Sequence, residues 1–231
     1  EFRRVLFRSA LFLQTGNSIV AFNKTNQLYE SKIGFNTANG DLATAKALDF
    51  YTGFANQASS SFAWTRSLPS SLDMFLSGKS AFYIGRASEL FTIQARNPNL
   101  SFDVTNIFQT EGAPRPITFG VFDAVGLLKS TRNFPAAYNV EGIITSKEFT
   151  SYLSKALSLP PARRDLLLEQ QQNPYIQVYF KAALSAFAWP DVNNNATETV
   201  FRNMIRAVNS GRANASQAIY EASNDLQSAI K

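Results

Sequence analysis

The stretch whose reading decides the fold is Phe75-Leu76-Ser77-Gly78-Lys79-Ser80-Ala81-Phe82-Tyr83-Ile84-Gly85. Its first part closes a short helix that Ser70 or Ser71 caps, with Leu72, Phe75 and Leu76 turned inward. Gly78 ends that helix, because a left-handed residue is cheap only where no Cβ is present. Ala81 to Ile84 then reads as a buried strand, and Gly85 releases the chain from it. Helix, glycine turn and core strand in so short a span predict an α/β arrangement.

The flanking sequence repeats this alternation. Upstream, Leu11 to Asn26 reads as short strands around a turn at Gly16-Asn17, and Gly34 to Gly40 is a polar loop. Asp41 then opens a helix with Leu42, Ala45, Leu48, Tyr51 and Phe54 or Ala55 at helical spacing. Ser59 to Pro69 is a serine-rich loop that carries Trp64. Downstream, the pattern predicts a helix from Ser88 to Arg96, a strand from Ser101 to Phe108 and a long strand segment from Ile117 to Leu128. From Asn133 onward the spacing is helical, with Pro135 at a favourable first-turn position. Further helices are predicted over Ser146–Leu157, Arg164–Gln170, Tyr175–Phe187, Thr197–Asn209 and Ala215–Ile230.

Composition narrows the chemistry. The chain has 231 residues, 45% hydrophobic and 17% charged, enough for a real core and too apolar for disorder. It contains neither Cys nor His. That removes Cys or His nucleophile systems, the Ser-His-Asp triad and Cys/His zinc sites, and no cofactor or metal is expected. No apolar run reaches the roughly 18–20 residues of a membrane span. The net charge of +5 is scattered, without the basic stripe and interleaved aromatics of a nucleic-acid binder.

Residues 1–9 (EFRRVLFRS) resemble the translation of a sequencing-library adapter joined to a truncated reading frame. They are therefore expected to be a non-native leader outside the fold, with the native amino terminus missing. Without Glu1, Arg3, Arg4 and Arg8, a net +2, the charge falls from +5 to +3.

Several stretches, in order, resemble the maltose-binding-like family 1 of solute-binding proteins of ABC importers. They are Ala47-Leu48-Asp49-Phe50-Tyr51, the Phe75–Gly85 stretch, Gly120 to Leu128 followed by Lys129 to Ala137, Thr145-Ser146-Lys147-Glu148, Leu159 to Asp165, and Ser210-Gly211-Arg212. The resemblance implies a periplasmic-binding-protein type II-like fold. It places residues 10–124 and 173–231 in the carboxy-terminal lobe and 125–172 in a helical piece of the amino-terminal lobe, whose main body is absent. In that case the apolar faces of the crossing piece, Phe149 and Leu153 among them, should have few partners.

The same resemblance implies extracytoplasmic, non-catalytic capture of a small solute, a sugar or another polar or acidic compound, by hinge closure. The implied partners are permease subunits, with no nucleic acid and no membrane contact except through the permease or a missing lipid anchor. A carbohydrate-active enzyme and a non-transport sensor or scaffold of the same fold are the alternatives.

The expected ligand-binding set is Trp64, Arg66, Arg86, Ser88, Phe122, Asn194, Glu198 and Arg202. Trp64 sits in a polar loop where relatives often present a Trp to the cleft. Arg66 could donate to a polyol or be a solvated loop residue. Arg86 and Ser88 follow Gly85, where relatives often carry an aromatic that this chain lacks. Phe122 falls where many relatives have Trp, with a core position as the alternative. Asn194 precedes a helix on which Glu198 and Arg202 share a face, either as ligand contacts or as an ordinary exposed ion pair. Trp189 is a second possible platform, or core.

Overall fold

The computed structural model describes residues 2–34, 43–65, 67–113 and 115–230. Compactness divides the chain into two units, Glu1–Ile84 with Phe108–Phe119 and Trp189–Lys231, and Gly85–Ile107 with Gly120–Ala188. These units follow packing within this chain. The lobe boundaries expected from the resemblance, 10–124 with 173–231 against 125–172, are a different division of the chain.

Among its described residues, the first unit is built on five helices and a hairpin. They are α1 (Phe2–Gln14), strands β1 (Val20–Asn23) and β2 (Leu28–Ser31), α2 (Ala43–Gly53), a short α3 (Ser71–Leu76), α9 (Asn194–Asn209) and α10 (Ala215–Ala229). Antiparallel pairing sets Val20 opposite Ser31 and Asn23 opposite Leu28. The core contains Phe12, Ile19, Ile33, Leu48, Phe201, Ile219 and Leu226, all essentially inaccessible. Side-chain hydrogen bonds tie α10 to the hairpin: the Gln227 amide accepts from the Ser31 N–H at 2.9 Å and donates to the Tyr29 carbonyl at 3.2 Å. Asn214 and Gln217 cap each other at the start of α10.

Where helix signals were local, expectation and structure agree closely. Ser70 caps α3 by accepting from the Asp73 N–H, and Gly78 follows with φ of +70°. The helix start expected at Asp41 and Leu42 lies outside the described residues, but α2 buries Ala45 and Leu48 as its spacing requires.

Two readings in this unit are overturned. Leu11 to Gln14 is the end of a helix, not a strand. Among the described residues of the expected leader, α1 begins at Phe2, and Arg8 and Ser9 are buried. Residues 2–14 contain no Gly or Pro, so nothing in the local chemistry stops the helix before Gly16. Ala81 to Ile84 forms no strand, and Phe82 is 88% exposed. A strand needs a neighbouring strand to pair with, and the segment is part of neither two-stranded ladder, β1 with β2 or Thr118–Phe119 with Ala186–Phe187.

The second unit holds a single 3-10 turn (Ala87–Glu89), α4 (Leu90–Arg96), α5 (Phe134–Ile144), α6 (Lys147–Leu157), α7 (Arg164–Leu167), α8 (Pro174–Ala183) and the two-residue β4 (Ala186–Phe187). Asn133, Ser146 and Asn173 cap α5, α6 and α8 through their side chains. Tyr175 stacks parallel on Phe102 at 5.6 Å, and its hydroxyl donates to the Phe102 carbonyl at 3.0 Å. The strand expected over Ser101–Phe108 is not formed, and the one expected over Ile117–Leu128 reduces to β3, Thr118–Phe119 in the first unit. The helix expected to reach Phe187 stops at Ala183, and α7 stops at Leu167.

Neither α5 nor α6 buries a single residue. Phe134, Tyr138, Val140 and Ile143 on α5, and Tyr152, Leu153 and Leu157 on α6, are exposed, while Phe149 is half-buried. A helix normally hides an apolar stripe, so these two carry faces that nothing among the described residues covers.

Two features of the first unit produce testable outcomes. The buried Gln14 amide donates to the carbonyls of Phe108 and Ile117, both at 3.1 Å. Its oxygen accepts from the Thr110 N–H and hydroxyl, both at 2.9 Å. Gln14→Leu strips these partners and should cost about 2–4 kcal/mol in urea unfolding.

Arg8 is the opposite case. Its Nε and Nη2 are buried without hydrogen-bond partners, and its guanidinium carbon lies 3.7 Å from the Phe201 ring centroid. Burial pushes its pKa down to about 10, against the weaker pull of Tyr51, Glu198 and Asp191. A cation over a ring returns roughly 2 kcal/mol at best, less than burying an unpaired charge costs. Arg8→Met should therefore stabilise the chain by about 1–3 kcal/mol at neutral pH. The folded-state pKa is depressed, so the penalty is full below it, and the gain should shrink as pH rises through about 10.

Candidate functional site

The eight expected residues fall into two groups. Trp64, Asn194, Glu198 and Arg202 lie in the first unit; Arg86, Ser88 and Phe122 lie in the second. Arg66 lies outside the described residues.

Trp64 is fixed by the backbone. The N–H groups of Ala63 and Trp64 both donate to the Phe54 carbonyl, at 2.9 and 3.1 Å. This folds the loop back on the end of α2 and leaves the indole half-buried. Ser61 Oγ lies 3.6 Å from where a Cβ on Gly53 would stand, so the serine-rich loop runs against the last turn of α2. Hydroxyl pairs Ser59–Ser61 at 2.7 Å and Thr65–Ser67 at 2.6 Å stiffen it.

On α9, Asn193 is the cap and accepts from the Ala196 N–H. Asn194 is thus the first helical residue, not a loop residue before the helix. Asn194, Glu198 and Arg202 recur every fourth position and share one face. Arg202 Nη2 donates to Glu198 Oε1 at 2.5 Å, with both side chains about one-third exposed. An exposed i,i+4 pair of this kind contributes only a few tenths of a kcal/mol. Beside it, the buried Thr197 hydroxyl donates to Asp191 at 2.8 Å. Trp64 makes no ring contact or side-chain hydrogen bond with these residues among those described.

In the second unit Arg86 is exposed, and its N–H donates to Glu89 Oε2 at 2.8 Å, which pins the 3-10 turn carrying Ser88. Phe122 is 55% exposed, which rejects its core reading. Its ring lies against Gly120, whose N–H donates to the Phe187 carbonyl at 2.9 Å. Trp189 goes the other way. It is buried, edge-on to Phe201 at 6.4 Å, so it is core and not a platform.

Sequence reasoning missed Gln14, which holds residues 108–117 in place. The available signal was one amide at the end of the apolar run Ala10-Leu11-Phe12-Leu13. It also missed a groove of about 410 Å³ between α9 and α10, lined by Val200, Met204, Ala207, Ala218 and Ala222 with Arg206, Arg212, Glu221 and Asp225. None of the eight expected residues lines it. Among the described residues there is no acidic cluster able to hold a metal ion, and no helix is long and apolar enough to cross a membrane.

No protein-family model matches the sequence, and no curated protein matches it either. Solved structures do match. A cyclo/maltodextrin-binding protein complexed with maltotetraose superposes with a TM-score of 0.74 at 16% identity, over 100% of this chain and 58% of its own. The maltose-maltodextrin binding protein of Alicyclobacillus acidocaldarius gives 0.66 at 15% identity, over 97% of this chain and 60% of its own. An ABC transporter solute binding protein of Thermotoga lettingae, bound with alpha-D-tagatose, gives 0.64 at 17% identity, over 98% and 56%. The chain thus adopts part of the periplasmic-binding-protein fold and spans somewhat over half the length of these proteins.

Proposed function

We propose that this chain is part of an extracytoplasmic solute-binding protein that captures a carbohydrate for an ABC importer. The observation that carries the reading is the superposition over 97–100% of the chain on three sugar-binding proteins, one seen with maltotetraose and one with tagatose. Local chemistry supports it. Trp64 offers a half-exposed indole on a loop rich in hydroxyls, the combination that a sugar's apolar face and polar rim require. Asn194, Glu198 and Arg202 add donors and acceptors on one face of α9.

Permease subunits are the proposed partners, and hinge closure of two lobes the proposed capture motion. Residues 10–124 and 173–231 are assigned to the carboxy-terminal lobe and 125–172 to a piece of the other. The bare faces of α5 and α6 suit that assignment, because the remaining part of a longer parent would cover them. The protein is proposed to be non-catalytic: no local constellation singles out the pair of carboxylates that glycoside hydrolysis uses.

A second reading has its own support. Arg86 and Arg202 suit an acidic solute as well as a polyol. Titration of the chain with maltotetraose, tagatose and a dicarboxylate, followed by tryptophan fluorescence, separates the two. Trp189 is buried, so the responsive signal comes from Trp64. The expected result is saturable binding of a sugar without turnover, weakened roughly three- to tenfold by Trp64→Ala when that variant, which lacks the responsive indole, is titrated by calorimetry. Release of reducing ends would contradict the binding reading, and a response to the dicarboxylate alone would replace carbohydrate with an acidic solute.

A further inference from the structure

The groove of about 410 Å³ between α9 and α10 lies within the first unit, where residues 210–214 join the two helices. Its volume falls in the roughly 300–1,000 Å³ range of small-molecule sites. The floor is apolar: Met204 and Ala207 from α9, Ala218 and Ala222 from α10, all buried. The three alanines leave space that longer side chains would fill.

The two sides of that floor carry opposite charges. Arg206 stands in the last turn of α9, and Arg212 in the connection that follows. Glu221 and Asp225 stand one turn apart on a single face of α10. All four side chains are exposed, and among the described residues none of them is in an ion pair. Cations and anions therefore border the same groove without closing on each other.

The charges are also separated along the groove. A connection this short makes α9 and α10 antiparallel neighbours, so Arg206 and Arg212 lie at the end where the helices join. Measured from Ala215, the first residue of α10, Glu221 lies about 9 Å along the helix and Asp225 about 15 Å, at 1.5 Å per residue. The order is cation, apolar floor, anion. A ligand that answers it carries a carboxylate and an ammonium at opposite ends of an aliphatic chain. The carboxylate accepts from the guanidinium groups, the ammonium donates to the two acids, and the methylenes cover the alanines. A dicarboxylate would set one end against Glu221 and Asp225, and a diamine one end against Arg206 and Arg212.

We propose that the groove between α9 and α10 binds a linear ω-amino carboxylate, held at one end by Arg206 and Arg212 and at the other by Glu221 and Asp225. This site goes beyond the carbohydrate reading and does not depend on it, since none of the eight expected residues lines the groove.

The test is titration of the full chain with 6-aminohexanoate, followed by the amide chemical shifts of Ala207, Ala218 and Ala222. Hexanoate and hexylamine serve as probes that keep one charge each. The variants are Arg206→Gln with Arg212→Gln, and Glu221→Gln with Asp225→Asn. Their side chains are exposed, and circular dichroism checks that each variant folds. The expected result is saturable binding with a Kd of about a millimolar, weaker at high salt. Each double variant and each single-charge probe should bind roughly three- to tenfold more weakly. In the Arg variant 6-aminohexanoate should bind no better than hexylamine, because its carboxylate has lost its partners. Three results would overturn the site: no shift at the three alanines, a single-charge probe that binds as tightly as 6-aminohexanoate, or an affinity that both variants leave unchanged.

Discussion

The first unit depends on one buried amide. Gln14 sits at the end of α1 and reaches residues more than ninety positions away, closing hydrogen bonds to Phe108, Thr110 and Ile117. A buried amide can be stable only when both its ends are satisfied, and here the N–H₂ has two carbonyls and the oxygen two donors. These bonds fix the backbone at Phe108, Thr110 and Ile117. Local order in α1 is thus converted into the position of a distant loop. Gln227 does the same on the other side of the core, joining α10 to β2.

Polar burial succeeds and fails within two turns of one helix. Gln14 is fully paired, whereas Arg8 leaves Nε and Nη2 without partners beside Phe201. Ser9 Oγ and Trp189 Nε1 are also buried and unpaired. The helical conformation therefore runs through residues 2–14 more comfortably than the side chains at positions 8 and 9 fit the core. Tertiary packing has accepted a segment whose polar groups it does not serve, which is the signature of a local conflict in an otherwise consistent core.

The helices were legible because their signals are local. Ser70, Asn133, Ser146 and Asn173 each cap a helix near the place where composition put its start, and Gly78 takes the left-handed conformation that its position demanded. Strands were legible only in part, β1 inside the expected Leu11–Asn26 stretch and β3 inside Ile117–Leu128, since a β pattern specifies only a willingness to pair. Ala81–Ile84, Ser101–Phe108 and most of Ile117–Leu128 have that pattern and find no ladder among the described residues. For the candidate site, only local placement was legible. Trp64 on its loop and the shared face of Glu198 and Arg202 could be read from context and period, Asn194 was read as preceding the helix it opens, and of Phe122 and Trp189 one is exposed and the other core. Gln14 was invisible, because its hydrogen bonds are long-range juxtapositions that no window of sequence contains.

The two units differ in how well this chain alone completes them. The first buries long rows of residues on α1, α9 and α10, whereas α5 and α6 in the second bury none. That asymmetry is what a portion of a larger binding-protein fold would show, and it is the physical core of the account. Native-state hydrogen exchange on the intact chain tests it most directly. The account predicts slow exchange along α9, α10 and the Thr110 amide, and exchange through local opening along α5 and α6. Protection of α5 and α6 equal to that of α9 and α10 would contradict it, because helices with no buried face have no tertiary means of staying closed.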